Sequence, residues 1–217
     1  MLITQLTPKG KTKMSVTFDE DVTLVVSNAD VGEYGLEEGA EISQEMYEAI
    51  LQAVKQEALR RCISLLQGMD YTKYALMQKL LRSGFPQVAV LDAVSRVEDA
   101  GLIDDLRYAE GYLRSHMPDR SSLRIRSDLA GKGVSEDVIE EAFRRWEKDA
   151  GSDAETSSGA DGSPSRIEEA ELKQIRRILE KRHYDPAEAT REDTAKLIAY
   201  LQYRGYPIST IRKAVDT

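Results

Sequence analysis

The chain has 217 residues, 41% hydrophobic, 6% aromatic and 31% charged, with a formal net charge of -8. That length can bury a core, yet sparse aromatics and frequent charge suit thin helical layers better than one thick core, and the acidic balance argues against a surface made throughout for nucleic acid, leaving only a local basic strip for such a role. A lone cysteine, Cys62, excludes an intramolecular disulfide; no stretch reaches membrane-spanning length, and the opening residues lack a charged segment followed by an apolar run, so a cytoplasmic protein with no membrane partner is expected.

Residues 1–42 differ from the rest. KMSVTFDEDVTLVVS alternates apolar and polar residues on either side of Asp19, Glu20 and Asp21, which predicts a β-hairpin extension. Lys9, Lys11 and Lys13 stand against eight acids there, so the segment carries most of the negative excess. A two-stranded hairpin is marginal alone and is expected to pack on the helical part of the chain. From Ser43 the pattern becomes helical, through Met46, Ile50, Ala53 and Val54 to Leu59, Cys62, Ile63 and Leu66 before Gly68, as one long helix or two joined. Cys62 falls on the apolar face and reads as a buried structural thiol.

From there a single pattern is written three times. Counted from Gly84, Gly133 and Gly205, eight residues earlier stand Leu76, Ile125 and Leu197, and four residues earlier Leu80, Leu129 and Leu201, positions that share a helix face. The glycine closes that helix, Phe85, Val134 or Tyr206 folds back on it, and Pro86, Ser135 or Pro207 opens the next. Then come Val90, Ile139 and Ile211, Ala93, Ala142 and Ala214, and Val94, Phe143 and Val215, one face of a second helix. With a leading helix before each pair, three-helix units are expected at 43–100, 101–149 and 166–217. Thr72 caps the first pair; Gly101 with Asp104 and Asp105 opens the second unit; Ser165 with Glu168 makes a capping box, and Thr190 with Asp193 a further cap. Residues 150–165 contain no branched aliphatic or aromatic side chain and read as a flexible linker. The fold class is therefore mainly α, with tandem three-helix repeats forming an elongated curved body behind a small N-terminal β-hairpin.

Two basic strips interrupt the scaffold. Arg120, Arg124, Arg126 and Lys132 run from just before the second reference helix to just past it, and Lys173, Arg176 and Arg177, with Lys181 and Arg182, make the helix after the linker basic. These residues either form partner-binding faces for an acidic protein or for DNA phosphates, or pair with Asp119, Asp128 and nearby acids on a solvated surface. No GxxxxGK[ST] loop, HExxH or paired CxxC occurs, and His116 and His183 lie far apart without ligand company, so neither catalysis nor a metal or cofactor is expected.

GLIDDLRYAEGYL at Gly101 to Leu113, LRIRSDLAGKGVSEDVIEEAF at Leu123 to Phe143, and KLIAYLQYRGYPISTIRKAV at Lys196 to Val215 resemble the RecX regulatory proteins, which modulate the RecA recombinase. The likeness spans nearly the whole chain. It departs at Met69 to Thr72, where the family often carries arginine, at Ser121, where it often has glycine, and in a longer linker. The resemblance implies a monomeric, non-enzymatic protein of DNA repair, homologous recombination and the SOS response. Such a protein lies in the groove of a RecA filament, reaches DNA through it, and inhibits its recombination and ATPase activities. The alternative from the residues alone is a helical nucleic-acid-binding module that acts without RecA.

Overall fold

The computed structural model describes residues 1–19, 22–148 and 164–215. The acidic residues Glu20 and Asp21 and most of the expected linker lie outside the described residues. The chain divides into two compact units, Met1–Asp104 and Asp105–Thr217.

The first unit begins with three strands, β1 (Ile3–Pro8), β2 (Lys13–Phe18) and β3 (Thr23–Ser27), in an antiparallel sheet of order β1-β2-β3. The expected hairpin is β2 with β3, in register from Lys13 opposite Ser27 to Thr17 opposite Thr23. The sequence pattern does not reveal β1, which pairs Leu6 with Val16 and Pro8 with Met14 and contains an irregularity between Ile3 and Gln5 that breaks its alternation. A third strand supplies what a lone hairpin lacks, an apolar face wide enough to bury: Ile3, Val16, Phe18, Leu24 and Val26 are all buried. A short helix, α1 (Asn28–Glu33), comes next, and its N-cap Ser27 exchanges bonds with Asp30 in a capping box.

Helix α2 (Gln44–Leu66) is one continuous element capped by Ser43, and it buries Ile50, Val54, Ala58 and Cys62. Ile63, read with Cys62 as apolar face, is 38% exposed, because the face turns toward Ala58 and Cys62 four residues apart. Helices α3 (Lys73–Arg82) and α4 (Gln87–Asp99) complete a core shared with the sheet. The Thr72 hydroxyl accepts from Ala75 N–H at 3.1 Å, as its position before the apolar run predicts.

The second unit holds α5 (Asp105–His116), α6 (Ser122–Gly131) and α7 (Glu136–Lys148), then α8 (Arg166–Lys181), α9 (Arg191–Tyr203) and α10 (Ile208–Val215). One buried cluster joins α5, α6 and α7 around Leu113, Ile125, Leu129 and Ile139, and another joins α8, α9 and α10 around Ile175, Leu201 and Ile211.

The threefold pattern has a geometric counterpart. Gly84, Gly133 and Gly205 have φ of 89°, 80° and 88°, the left-handed region that a Cβ disfavours. The amides of Phe85, Val134 and Tyr206 then reach back to the carbonyls of Leu80, Leu129 and Leu201 at 3.3, 3.1 and 3.2 Å, closing the helix ends, and all three side chains are buried. Every apolar position that defined the repeat is buried, from Leu76 to Val215. Helix α8 ends in the same way with a different residue: His183 has φ 51°, and Tyr184 N–H bonds to Leu179 O at 3.1 Å.

The capping box expected at Ser165 forms only by half. Its hydroxyl accepts from Glu168 N–H at 3.2 Å, but the Glu168 carboxylate pairs with Lys213 instead of turning back. The apolar spacing of Leu172, Ile175 and Leu179 predicts the inner face of α8, and the structure turns that face differently. Glu171, Gln174 and Ile175 are the buried positions, whereas Leu172 and Leu179 are half-buried. The helix is rotated because its inner face meets the polar start of α6 as well as the apolar core of its own trio.

Candidate functional site

The first basic strip is organised by one carboxylate and one ring. Asp128, four residues after Arg124 on α6, receives Arg120 Nη1 at 2.6 Å and Arg124 Nε at 3.2 Å, and its side chain is only 16% exposed. Arg120 Nη1 also donates to the Tyr112 hydroxyl at 3.0 Å. Lys132 Nζ lies over the Tyr112 ring, 5.5 Å from its centroid, and that ring stacks on His116 with centroids 3.9 Å apart. Burial, followed by the Asp128 charge, pushes the Tyr112 phenol above its usual range. Three of the four residues of this strip therefore surround Asp128 and Tyr112. The signal was available in the four-residue spacing of Arg124 and Asp128.

Arg126 points elsewhere. Its guanidinium stacks on Phe143 at 4.2 Å from the ring centroid, and Nη1 pairs with Glu136 at 3.2 Å. The stack braces α6 against α7, so this arginine also serves packing. What the strip offers outward is chiefly Arg124, whose side chain stays 65% exposed despite its ion pair.

The second strip is different in kind. Lys173, Arg176 and Arg177 lie on the exposed side of α8, and among the described residues none of them pairs with a carboxylate at ion-pair distance. Together with Pro164, Glu169, Leu172 and Glu180 they border a shallow depression along the helix. A cation without an internal partner keeps its field for an incoming anion.

Behind that face sits a polar joint that the sequence did not announce. The Glu171 carboxylate, 1% exposed, accepts from Ser122 N–H at 2.9 Å and from Ser122 Oγ at 2.7 Å, satisfying the first turn of α6 from a separate helix. Burial pushes the Glu171 carboxyl up, and the two Ser122 bonds offset part of that shift. The Gln174 amide donates to Met117 O and, at 3.3 Å, to Arg120 O, while its oxygen accepts from the Tyr206 hydroxyl at 2.8 Å. Ser121 Oγ donates to Arg204 O at 2.7 Å. These bonds tie the α5–α7 trio to the α8–α10 trio through side chains whose polar atoms have no water to turn to. At the other end of α8, Arg166 N–H donates to Glu147 at 3.0 Å, and the Arg166 guanidinium lies over the Trp146 ring at 4.1 Å. Sequence reasoning misses Glu171 and Gln174 because they look like solvated helix residues until a neighbouring helix end is placed beside them.

No helix among the described residues is long and apolar enough to cross a membrane, and no group of three or more His, Cys, Asp or Glu side chains among them could hold a metal ion.

Similarity to known proteins runs along this architecture. Residues 104–142 match the family model of the second three-helix domain of RecX, and residues 169–215 match that of its third three-helix domain. The regulatory protein RecX of Trichlorobacter lovleyi is 30% identical over 158 residues, covering 71% of this chain and 90% of that protein. The regulatory protein RecX of Caldanaerobacter subterraneus subsp. tengcongensis is 26% identical, covering 100% of this chain and 99% of its own length. A crystal structure of regulatory protein RecX shares the fold, with a TM-score of 0.62 at 19% identity over 100% of this chain and 99% of that one. The RecX structure from Lactobacillus salivarius gives a TM-score of 0.58, covering 76% of this chain and 98% of that one. With three-helix segments matching in sequence and the whole chain matching in fold, the protein belongs to the RecX regulatory protein family.

Proposed function

We propose that this RecX-family protein is a monomeric, non-enzymatic cytoplasmic regulator that binds the RecA filament on DNA and restrains its recombination and ATPase activities. The observation that carries the reading is family membership, resting on the segments that build both trios of the second unit. Its working parts are three-helix units at 43–100, 101–149 and 166–217, with 150–165 as the linker. The exposed α8 cations Lys173, Arg176 and Arg177 are the leading contact residues, since among the described residues no carboxylate pairs with them. Arg120, Arg124, Arg126 and Lys132 contribute less per residue, because Asp128, Glu136 and two aromatic rings already engage them.

The test is direct: purified protein is added to RecA assembled on single-stranded DNA, and ATP hydrolysis and co-sedimentation are followed. Falling hydrolysis with the protein in the pellet supports the reading. Unchanged hydrolysis at stoichiometric protein, with the protein left in the supernatant, overturns it.

A further inference from the structure

A cleft of about 330 Å³ lies among residues of α8 and the end of α9, and four cations line it: Arg177, Lys181, Arg182 and Arg204. Its wall carries one carboxylate, Asp119. Among the described residues none of the four cations lies at ion-pair distance from any carboxylate, Asp119 included. On a chain of net charge -8, four cations against one carboxylate make this a concentrated positive site.

The inner side of the cleft is fixed. Tyr206 and Gln174 line it, are buried, and are bonded to each other at 2.8 Å. Tyr200 stands between two of the cations: the Arg182 guanidinium lies over its ring at 3.9 Å, and Arg204 Nη1 donates to its hydroxyl at 2.8 Å. The Arg204 bond first, and then Arg182, hold that phenol below its usual range, the response expected of a group in a field that favours negative charge. Both guanidiniums are thereby oriented by contacts that leave donors free, because each carries five N–H groups. Tyr203, which precedes Arg204 in the chain and does not line the cleft, is 92% exposed. It stands three residues after Tyr200, the spacing of neighbours on one helix side.

We propose that this cleft is a binding site for a phosphate ester, with the phosphate held by Arg177, Lys181, Arg182 and Arg204 and an attached base stacked on Tyr203. Guanidinium forks match phosphate oxygens in pairs, and an exposed ring beside a cationic groove is the arrangement that grips unpaired bases. A free nucleotide and a single-stranded nucleic acid offer the same group. The inference does not rest on the RecA reading, and RecA is absent from its test.

The full chain is titrated with inorganic pyrophosphate, with ATP and with a fluorescent oligothymidylate, the last at several salt concentrations. Binding of ATP or pyrophosphate alone identifies a free-phosphate site, and binding of the oligomer alone identifies a strand site. The variant Arg177→Ala/Lys181→Ala/Arg182→Ala is expected to weaken the bound probe by about tenfold or more, and for the oligomer to lower the salt slope by about 2, at roughly 0.7 per lost phosphate contact. Lys181→Glu alone, on an exposed side chain, reports in the same direction should the triple variant fold poorly. Tyr203→Ala weakens ATP or oligomer and leaves pyrophosphate unchanged, whereas Arg60→Ala/Arg61→Ala on α2 changes nothing. The proposal is overturned if no probe binds at low salt, if the cleft variants bind like the parent, or if the α2 variant loses as much. Filament inhibition in the RecA assay is a separate result, so failure of either reading leaves the other standing.

Discussion

Replacing Gly205 by alanine tests how the α8–α10 trio is joined to α6. At φ 88° any Cβ is strained, and an added one would sit 2.7 Å from Ser121 Oγ, 3.4 Å from Leu123 Cβ and 3.5 Å from Arg124 N. Ser121 cannot simply swing aside, because its hydroxyl donates to Arg204 O at 2.7 Å and caps the start of α6. Gly101 provides the reference, since at φ 67° an added Cβ meets nothing within 4 Å. Gly101→Ala should therefore cost only backbone strain, about 1–2 kcal/mol. Gly205→Ala adds the disrupted buried bond, a further cost of about 1–3 kcal/mol. For a chain of this size these losses correspond to Tm decreases of roughly 5 °C and roughly 10 °C. Far-UV circular dichroism melts of both variants measure the contrast. Ser121→Gly removes the obstructing hydroxyl while keeping an acceptable N-cap, costing a few tenths of a kcal/mol there. The double variant Ser121→Gly/Gly205→Ala should then show a favourable coupling of about 1–2 kcal/mol in a double-mutant cycle. Equal losses at the two glycines with no coupling would refute the claim that the helices approach closely at this point.

Other substitutions probe other contacts. Glu171→Ala leaves the Ser122 N–H without its acceptor and should cost about 1–3 kcal/mol in urea unfolding, with Glu171→Gln costing less because an oxygen remains. Burial raises the folded Glu171 pKa above its unfolded value, so its contribution is fully present below the unfolded pKa and is lost as pH rises through the folded one. The parent minus Glu171→Gln stability difference should therefore fall with rising pH across that window, and a difference that rises with pH contradicts the assignment. Cys62, fully buried with its thiol pushed up to about 11, should react with a maleimide only after denaturant is added, and rapid labelling of the native protein would rule out the buried placement. Arg126→Glu should cost about 1 kcal/mol through loss of the Phe143 stack and repulsion by Glu136, whereas the exposed Arg124→Glu should leave the melt nearly unchanged. Equal melts for the two would show that Arg126 is ordinary surface.

What could be read from the sequence was whatever local physics dictates. A glycine that must adopt positive φ, an apolar residue folding back, and buried positions four apart are properties of a single helix end, so Gly84, Gly133 and Gly205 announced themselves. The caps at Thr72 and Thr190 were legible for the same reason, since each serves its own first turn. Strand β1 was not, because its alternation is broken between Ile3 and Gln5 and its stability comes from pairing with β2. The candidate surface divides along the same line. The cations were visible as charges, but their worth depends on which of several neighbours each one meets: Arg120 meets Asp128, Arg126 meets Phe143, and Lys173, Arg176 and Arg177 meet no carboxylate among the described residues. Glu171 and Gln174 stand 49 and 57 residues from their partners Ser122 and Met117, beyond any helical periodicity.

The regulatory claim is tested most directly by titrating the parent protein and the variant Lys173→Glu/Arg176→Glu against RecA on single-stranded DNA while ATP hydrolysis is recorded. These side chains are exposed and support no described contact, so the variant should melt like the parent. The parent should suppress hydrolysis near stoichiometry and the variant should need about tenfold more protein, the size of effect that about 1.4 kcal/mol of lost charge complementarity produces. Hydrolysis untouched by the parent contradicts the regulator reading, and equal suppression by both proteins contradicts the assignment of the contact to α8.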